Sequence, residues 1–215
     1  MAGVDAERVR ANRERIRAEI DAAARRAGRA PDDVDLLMAV KYVNTEDVGA
    51  LIAAGLALFG ENRAQQLAAK HAAHPDARWH FIGQLQSRKV RQIVPLVELI
   101  HSVASDSALR QLERHAPPDF EILVEVNVAR EAGKAGIDPD ELPAFLERAP
   151  VRVTGLMGMP PFAEDPEQSR PHFAALRELA AAHDLPRLSM GTSQDYVVAV
   201  EEGATIVRLG SVLLE

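Results

Sequence analysis

Eight short apolar segments, alternating with stretches of helical character, recur from residue 35 to the end of the chain. They are DLLMAVKY (35–42), LALFGEN (56–62), RWHFIG (78–83), LIHSV (99–103), FEILVEVNV (120–128), VRVTGLMGM (151–159), RLSMGTS (187–193) and TIVRLGSVLL (205–214). Strands that alternate with helices run parallel, because each crossover helix carries the chain back to the same end of the sheet. Eight such units predict an α/β fold, a closed (β/α)8 TIM barrel rather than a doubly wound open sheet. A barrel of this kind needs at least about 200 residues. The chain has 215, so residues 1–215 are assigned to a single barrel domain. An additional N-terminal helix over residues 4–28 carries Val9, Ile16, Ile20, Ala23 and Ala24 on one stripe and ends at Gly28 and Pro31. No helix is expected after the eighth strand. The N-terminal helix is expected to fill that place, since first and last strands adjoin in a closed barrel.

Charge and composition narrow the function. A net charge of −7 and a pI near 5.5 argue against nucleic-acid and anionic-membrane partners. Aromatic content of 4% leaves few stacking platforms for single strands. With no cysteine there is no thiolate metal site, and seven histidines without an HExxH or HxxxH pattern predict no metal. Neither a signal peptide nor an apolar run long enough to span a membrane is found, so a cytoplasmic protein is expected.

Barrels of this class place their chemistry at the C-terminal ends of the strands. Those ends here carry Lys41, the Gly60–Glu61–Asn62 run, Asn127, Met157, the Ser189–Ser193 segment and Arg208 to Ser211. His80 is the one histidine expected to face the barrel mouth. The last two ends predict a phosphate site. Gly191, Thr192 and Ser193 combine close backbone approach, hydroxyls and N–H groups at a helix start, and Gly210 with Ser211 repeats the pattern. The competing reading makes Ser193 the cap of a helix beginning near Asp195. No nucleotide loop motif is present, so the anion is a phosphomonoester. Lys41 follows LLMAV in the alternation of Leu37 and Ala39, and a desolvated lysine there becomes a nucleophile toward carbonyls, the competing reading being a lysine that marks the wet end of the strand. Cup and lysine together point to pyridoxal phosphate or to a Schiff-base aldolase. Arg208 needs a ligand or an ion pair, for example with Glu61, because a bare buried guanidinium is costly.

AVKY, FGENRAQQ (59–66), WHFIGQLQSRKV (79–90), VNVAREAGKAGI (126–137), GLMGMPP (155–161), LSMGTSQDY (188–196) and VRLGS (207–211) occur in this order. With them the chain resembles the YggS/PROSC family of pyridoxal phosphate homeostasis proteins. The resemblance implies the fold-type III barrel shared with the N-terminal domain of alanine racemase. It implies pyridoxal 5'-phosphate held as a covalent aldimine at Lys41. The phosphate is then expected between Ser189–Ser193 and Gly210–Ser211, the pyridine nitrogen opposite Arg208, and Asn62 nearby. Lys134 matches a second family lysine proposed to take part in cofactor handling. Val40 departs from the serine that often precedes the Schiff-base lysine, and Leu214–Glu215 from the usual aromatic and glycine.

Two physical points favour binding over turnover. An arginine cannot accept the pyridinium proton, so the ring is a weak electron sink. Racemisation also needs a second base, and Tyr42 and Tyr196 are the only tyrosines. The expectation is a monomeric carrier in vitamin B6 homeostasis, buffering the cofactor or passing it to transient apo-enzyme partners. A fold-type III racemase or decarboxylase is the alternative, and a sugar-phosphate barrel enzyme the non-cofactor reading.

Overall fold

The computed structural model describes residues 3–215, so residues 1 and 2 of the assigned domain lie outside the described residues. Eight parallel strands close in sequential order. They are β1 (Asp35–Ala39), β2 (Leu58–Glu61), β3 (Arg78–Phe81), β4 (Leu99–Val103), β5 (Glu121–Glu125), β6 (Arg152–Met157), β7 (Arg187–Ser189) and β8 (Ile206–Leu209). Met38 opposite Leu209 marks the seam that joins first strand to last.

Helices α1 (Ala6–Arg26), α2 (Val48–Ala53), α3 (Ala64–Ala73), α4 (Val90–Ile93), α5 (Asp106–His115), α6 (Leu142–Glu147), α7 (Arg170–Ala181), α8 (Tyr196–Glu201) and α9 (Ser211–Leu214) form the outer layer. Asp5 caps α1 by accepting from the N–H groups of Glu7 and Arg8. The stripe of Val9, Ile16, Ile20, Ala23 and Ala24 is buried, as its spacing predicts. This helix packs on α8, α9 and α2, which is the expected slot between the two ends of the barrel. The eighth strand, however, stops at Leu209, and the short helix α9 follows where none was expected. Gly210 turns out of the strand at φ −127° and ψ −93° and leads into α9.

The strands divide their side chains between two cores. Met38, Phe59, Trp79, Ile100 and Leu156 face the helices, and the Phe59 and Trp79 rings stack with centroids 5.3 Å apart. Leu37, Leu58, Leu99, Leu123, Met157 and Ile206 fill the barrel interior. Gly60 keeps that interior closed, since a Cβ there would lie 2.4 Å from Leu37 Cδ2 and 2.8 Å from Ile82 Cδ1. Above this apolar layer the interior turns polar, and the site begins there.

Candidate functional site

Arg208 stands on β8 with its side chain inside the barrel and is 7% exposed. It donates to Ser189 Oγ at 2.6 Å and to the carbonyl of Gly158 at 3.2 Å. No carboxylate pairs with it among the described residues. Glu61, the acid suggested by sequence, lies on the helix-facing side of β2, where it forms a fully buried ion pair with Lys70 of α3. Burial lowers the Arg208 pKa to about 10, opposed by the charges of Glu125 and Asp195. Glu125, at the end of β5, is in turn raised by burial, with Arg208 pulling the other way.

The loops after β7 and β8 are stitched together. Gly191 adopts φ +90°, and its carbonyl accepts from the Arg208 N–H at 3.0 Å. Asp195 accepts from the Thr192 N–H at 2.7 Å, the Thr192 hydroxyl at 3.1 Å and Ser169 Oγ at 3.0 Å. Ser193 does not cap α8. Its Oγ accepts from the Gly210 N–H at 3.4 Å and so bridges the two loops. Ser211 is exposed at the start of α9. The hydroxyl protons of Ser193 and Ser211, and the N–H groups of Ser193, Gln194, Ser211 and Val212, have no acceptor among the described residues. Such a set suits an anion with several oxygens, so a phosphomonoester fits it.

Lys41 corrects the sequence reading. The alternation that would have buried it stops at Ala39, and Val40 to Val43 turn back on themselves through a 3.0 Å hydrogen bond. Lys41 is therefore exposed, and its Nζ sits 4.7 Å from the centroid of the Tyr42 ring. Tyr42 points outward at 78% exposure, instead of to the opposite strand face. The backbone of Ala39, two residues before it, lies against Gly210 at the end of β8.

Sequence reasoning missed what holds this segment. Lys70 Nζ donates to the Val40 carbonyl at 2.7 Å as well as to Glu61, and Glu61 Oε1 accepts from the N–H groups of Asn62 (2.7 Å) and Arg63 (3.1 Å). One buried pair thus ties the residue before Lys41 to the backbone of Asn62. Asn62 Oδ1 is buried without a hydrogen-bond partner. Met157 is 2% exposed in the inner apolar layer, below the mouth. Lys134 pairs with Glu131 in the loop that Asn127 closes by bonding Ile137 and Glu131.

His80 was expected to face the mouth. It is 1% exposed and lies deeper, with Nδ1 3.0 Å from Nε2 of His101, whose Nδ1 is 2.7 Å from Ser189 Oγ. Burial lowers His80 to about 3, with the charges of Arg78 and Arg187 adding to it, and His101 well below the ordinary imidazole value, with His80, Arg208 and Arg187 adding to it. Both rings are neutral in the fold at neutral pH. Below about pH 6.5 the unfolded chain takes up protons that the folded chain refuses, so stability falls with pH, by about 1.4 kcal/mol per unit for each ring. This loss continues toward pH 3 and is partly offset by Glu125, whose raised pKa acts in the opposite sense. Denaturant midpoints at pH 7, 6 and 5 should fall steadily, and His80→Gln should remove about half of the slope. A flat profile in this range would contradict neutral buried rings.

The family model for the alanine racemase N-terminal domain matches residues 11–214. A pyridoxal phosphate homeostasis protein of Aquifex aeolicus is 41% identical over 214 residues, covering 93% of this chain and 94% of that protein. PipY of Synechococcus elongatus, solved with PLP bound, is similar with a TM-score of 0.77 at 33% identity, covering 92% of this chain and all 100% of that one. A Bifidobacterium adolescentis protein of unknown function reaches a TM-score of 0.87 at 30% identity, covering 97% and 95% of the two chains. Fold and site thus define a barrel of the alanine racemase N-terminal class. Within that class, the chain belongs to the pyridoxal phosphate homeostasis protein family.

Proposed function

We propose that this protein binds pyridoxal 5'-phosphate and serves its homeostasis, buffering the cofactor in the cytoplasm or passing it to apo-enzymes, as a monomer without efficient turnover of its own. The observation that carries the reading is Arg208. It is a buried cation with only neutral hydrogen-bond partners, beside two loops whose hydroxyls and N–H groups are unspent. The relatives named above support the same ligand.

When bound, pyridoxal phosphate supplies an aldehyde able to condense with an amine and a ring able to withdraw electrons. The residues here would divide the task of holding it. Ser193, Ser211 and the adjacent N–H groups would take the phosphate oxygens. Lys41 Nζ, which has no carboxylate partner among the described residues, would be the amine that meets the aldehyde. Arg208 can only donate, so opposite a ring nitrogen it would keep that nitrogen unprotonated and the ring a poor electron sink. A second base on the far side of a substrate carbon is also hard to find. Tyr42 lies beside Lys41 on the same rim, and the buried hydroxyl of Tyr196 donates to Glu19 of α1, outside the barrel.

Borohydride reduction after addition of pyridoxal 5'-phosphate tests the site. One reduced adduct is expected, mapping by peptide mass to Lys41 and absent in Lys41→Ala. An adduct on another lysine, or no change in absorbance, would overturn the assignment. Rapid racemisation or decarboxylation of an amino acid by the loaded protein would overturn the carrier reading.

A further inference from the structure

Ser189, His101 and His80 continue inward from Arg208 as one hydrogen-bonded line. Arg208, Ser189, His101 and His80 belong to β8, β7, β4 and β3, so the line crosses the barrel from one wall to the opposite one. Its far end is His80 Nε2, 3.9 Å from the carboxylate of Glu98, which precedes β4 at the N-terminal rim. Ser189 and His101 are fully buried, so water cannot substitute for a missing partner.

Donor counting fixes every proton in the line. A guanidinium only donates, so Ser189 Oγ must accept from Arg208. The serine proton then goes to the other close neighbour, His101 Nδ1, which must be bare. A neutral His101 carries its proton on Nε2 and gives it to His80 Nδ1. His80 in turn carries its proton on Nε2, toward Glu98. The opposite polarity would make Ser189 Oγ accept from both Arg208 and His101, leaving its own proton buried with no acceptor among the described residues and a bare His80 Nε2 facing the Glu98 carboxylate. The charges of Arg78 and Arg187 oppose a second proton on His80, and those of Arg208 and Arg187 oppose one on His101, while Glu98 is the acid that complements the outer N–H. Both Ser189 hydrogen-bonding directions are therefore occupied within the protein.

We propose that His101 and His80 are positioning residues for Arg208, and that Ser189 is their relay and not a phosphate ligand. By drawing the serine proton inward, the two rings keep an oxygen lone pair on Arg208 and fix the plane of the guanidinium. Its remaining N–H groups then face the mouth in one orientation. This inference rests on the pyridoxal phosphate reading only for the ligand that Arg208 meets, since the proton pattern itself needs no ligand.

Two measurements separate these parts. In the ligand-free protein at pH 7, 15N–1H correlation should show His80 and His101 as neutral Nε2–H tautomers, unchanged down to pH 5. An Nδ1–H tautomer at either ring, or titration near pH 6.5, would overturn the proposal whatever the ligand is. In the second arm, His101→Leu should weaken pyridoxal 5'-phosphate binding about tenfold and shift the visible absorbance band of the complex. His101→Asn, whose Oδ1 replaces the Nδ1 acceptor, should restore the band and most of the affinity. Wild-type binding and an unshifted band in a folded His101→Leu would overturn the positioning role. Should His101→Leu not fold, the tautomer measurement alone decides. Wild-type protein that shows the expected tautomers but binds no pyridoxal phosphate would instead defeat the functional reading and leave the hydrogen-bond line standing.

Discussion

Replacing Lys70 with methionine is expected to cost about 3–5 kcal/mol, because it leaves the Glu61 carboxylate buried without its cation. Both side chains are fully inaccessible, so no solvent compensates. The remaining acceptor bonds from the Asn62 and Arg63 N–H groups hold the carboxylate but do not neutralise it. The double variant Glu61→Leu/Lys70→Met should recover most of the loss, since an apolar pair of similar volume removes the orphaned charge. Chemical denaturation of the three proteins measures this directly. Equal losses in the single and double variants would mean that the pair acts through packing alone. The same substitution should slow borohydride trapping at Lys41, because Val40, the residue before it, loses its tether to Lys70.

Gly191→Ala is the second large effect. At φ +90° an L-residue is strained by about 1–2 kcal/mol. The new Cβ would also lie 2.6 Å from the Ala199 Cβ and 3.1 Å from the Tyr196 Cα, both on α8. Overpacking adds about 1–3 kcal/mol. The loop must move, and its carbonyl holds the backbone of Arg208, so ligand binding should fall together with stability. Gly133→Ala is the matched control, with φ +76° but nothing within 4 Å of the added carbon. It should show the backbone strain without the crowding and leave binding intact. Comparable melting and binding losses in both variants would remove the crowding argument.

The barrel was legible because alternation and helix period are local properties. The eight strands, the α1 stripe and the closing role of that helix all follow from residue order. Strand ends were read too long, and the physical reason is shared. Strand β7 runs to Ser189 and not Ser193, and β8 to Leu209 and not Leu214. Past those points the chain bends into the loop after β7 and into α9, while its composition stays apolar enough to look like strand. Errors at the site trace to the same cause. Lys41 was expected to be desolvated because alternation was carried two residues beyond β1. Arg208, by contrast, lies inside a strand, and its inward placement was foreseeable from parity, whereas the ion pair with Glu61 weighed for it is not formed. The Lys70–Glu61 pair and the His80–His101 contact join separate elements, so no local pattern announces them.

The position of α1 has a consequence for how the protein is made. Its side chains bond to residues near the other end of the chain: Asn12 to the Leu213 carbonyl at 3.4 Å and Arg26 to Glu201 at 2.7 Å. During synthesis Val9, Ile16 and Ile20 emerge well before the surfaces that cover them on α8 and α9. The apolar stripe therefore stays open to chaperones and to self-association while the strands and helices between them are made. Barrel closure waits for α8 and α9, and α1 is the latch that completes it.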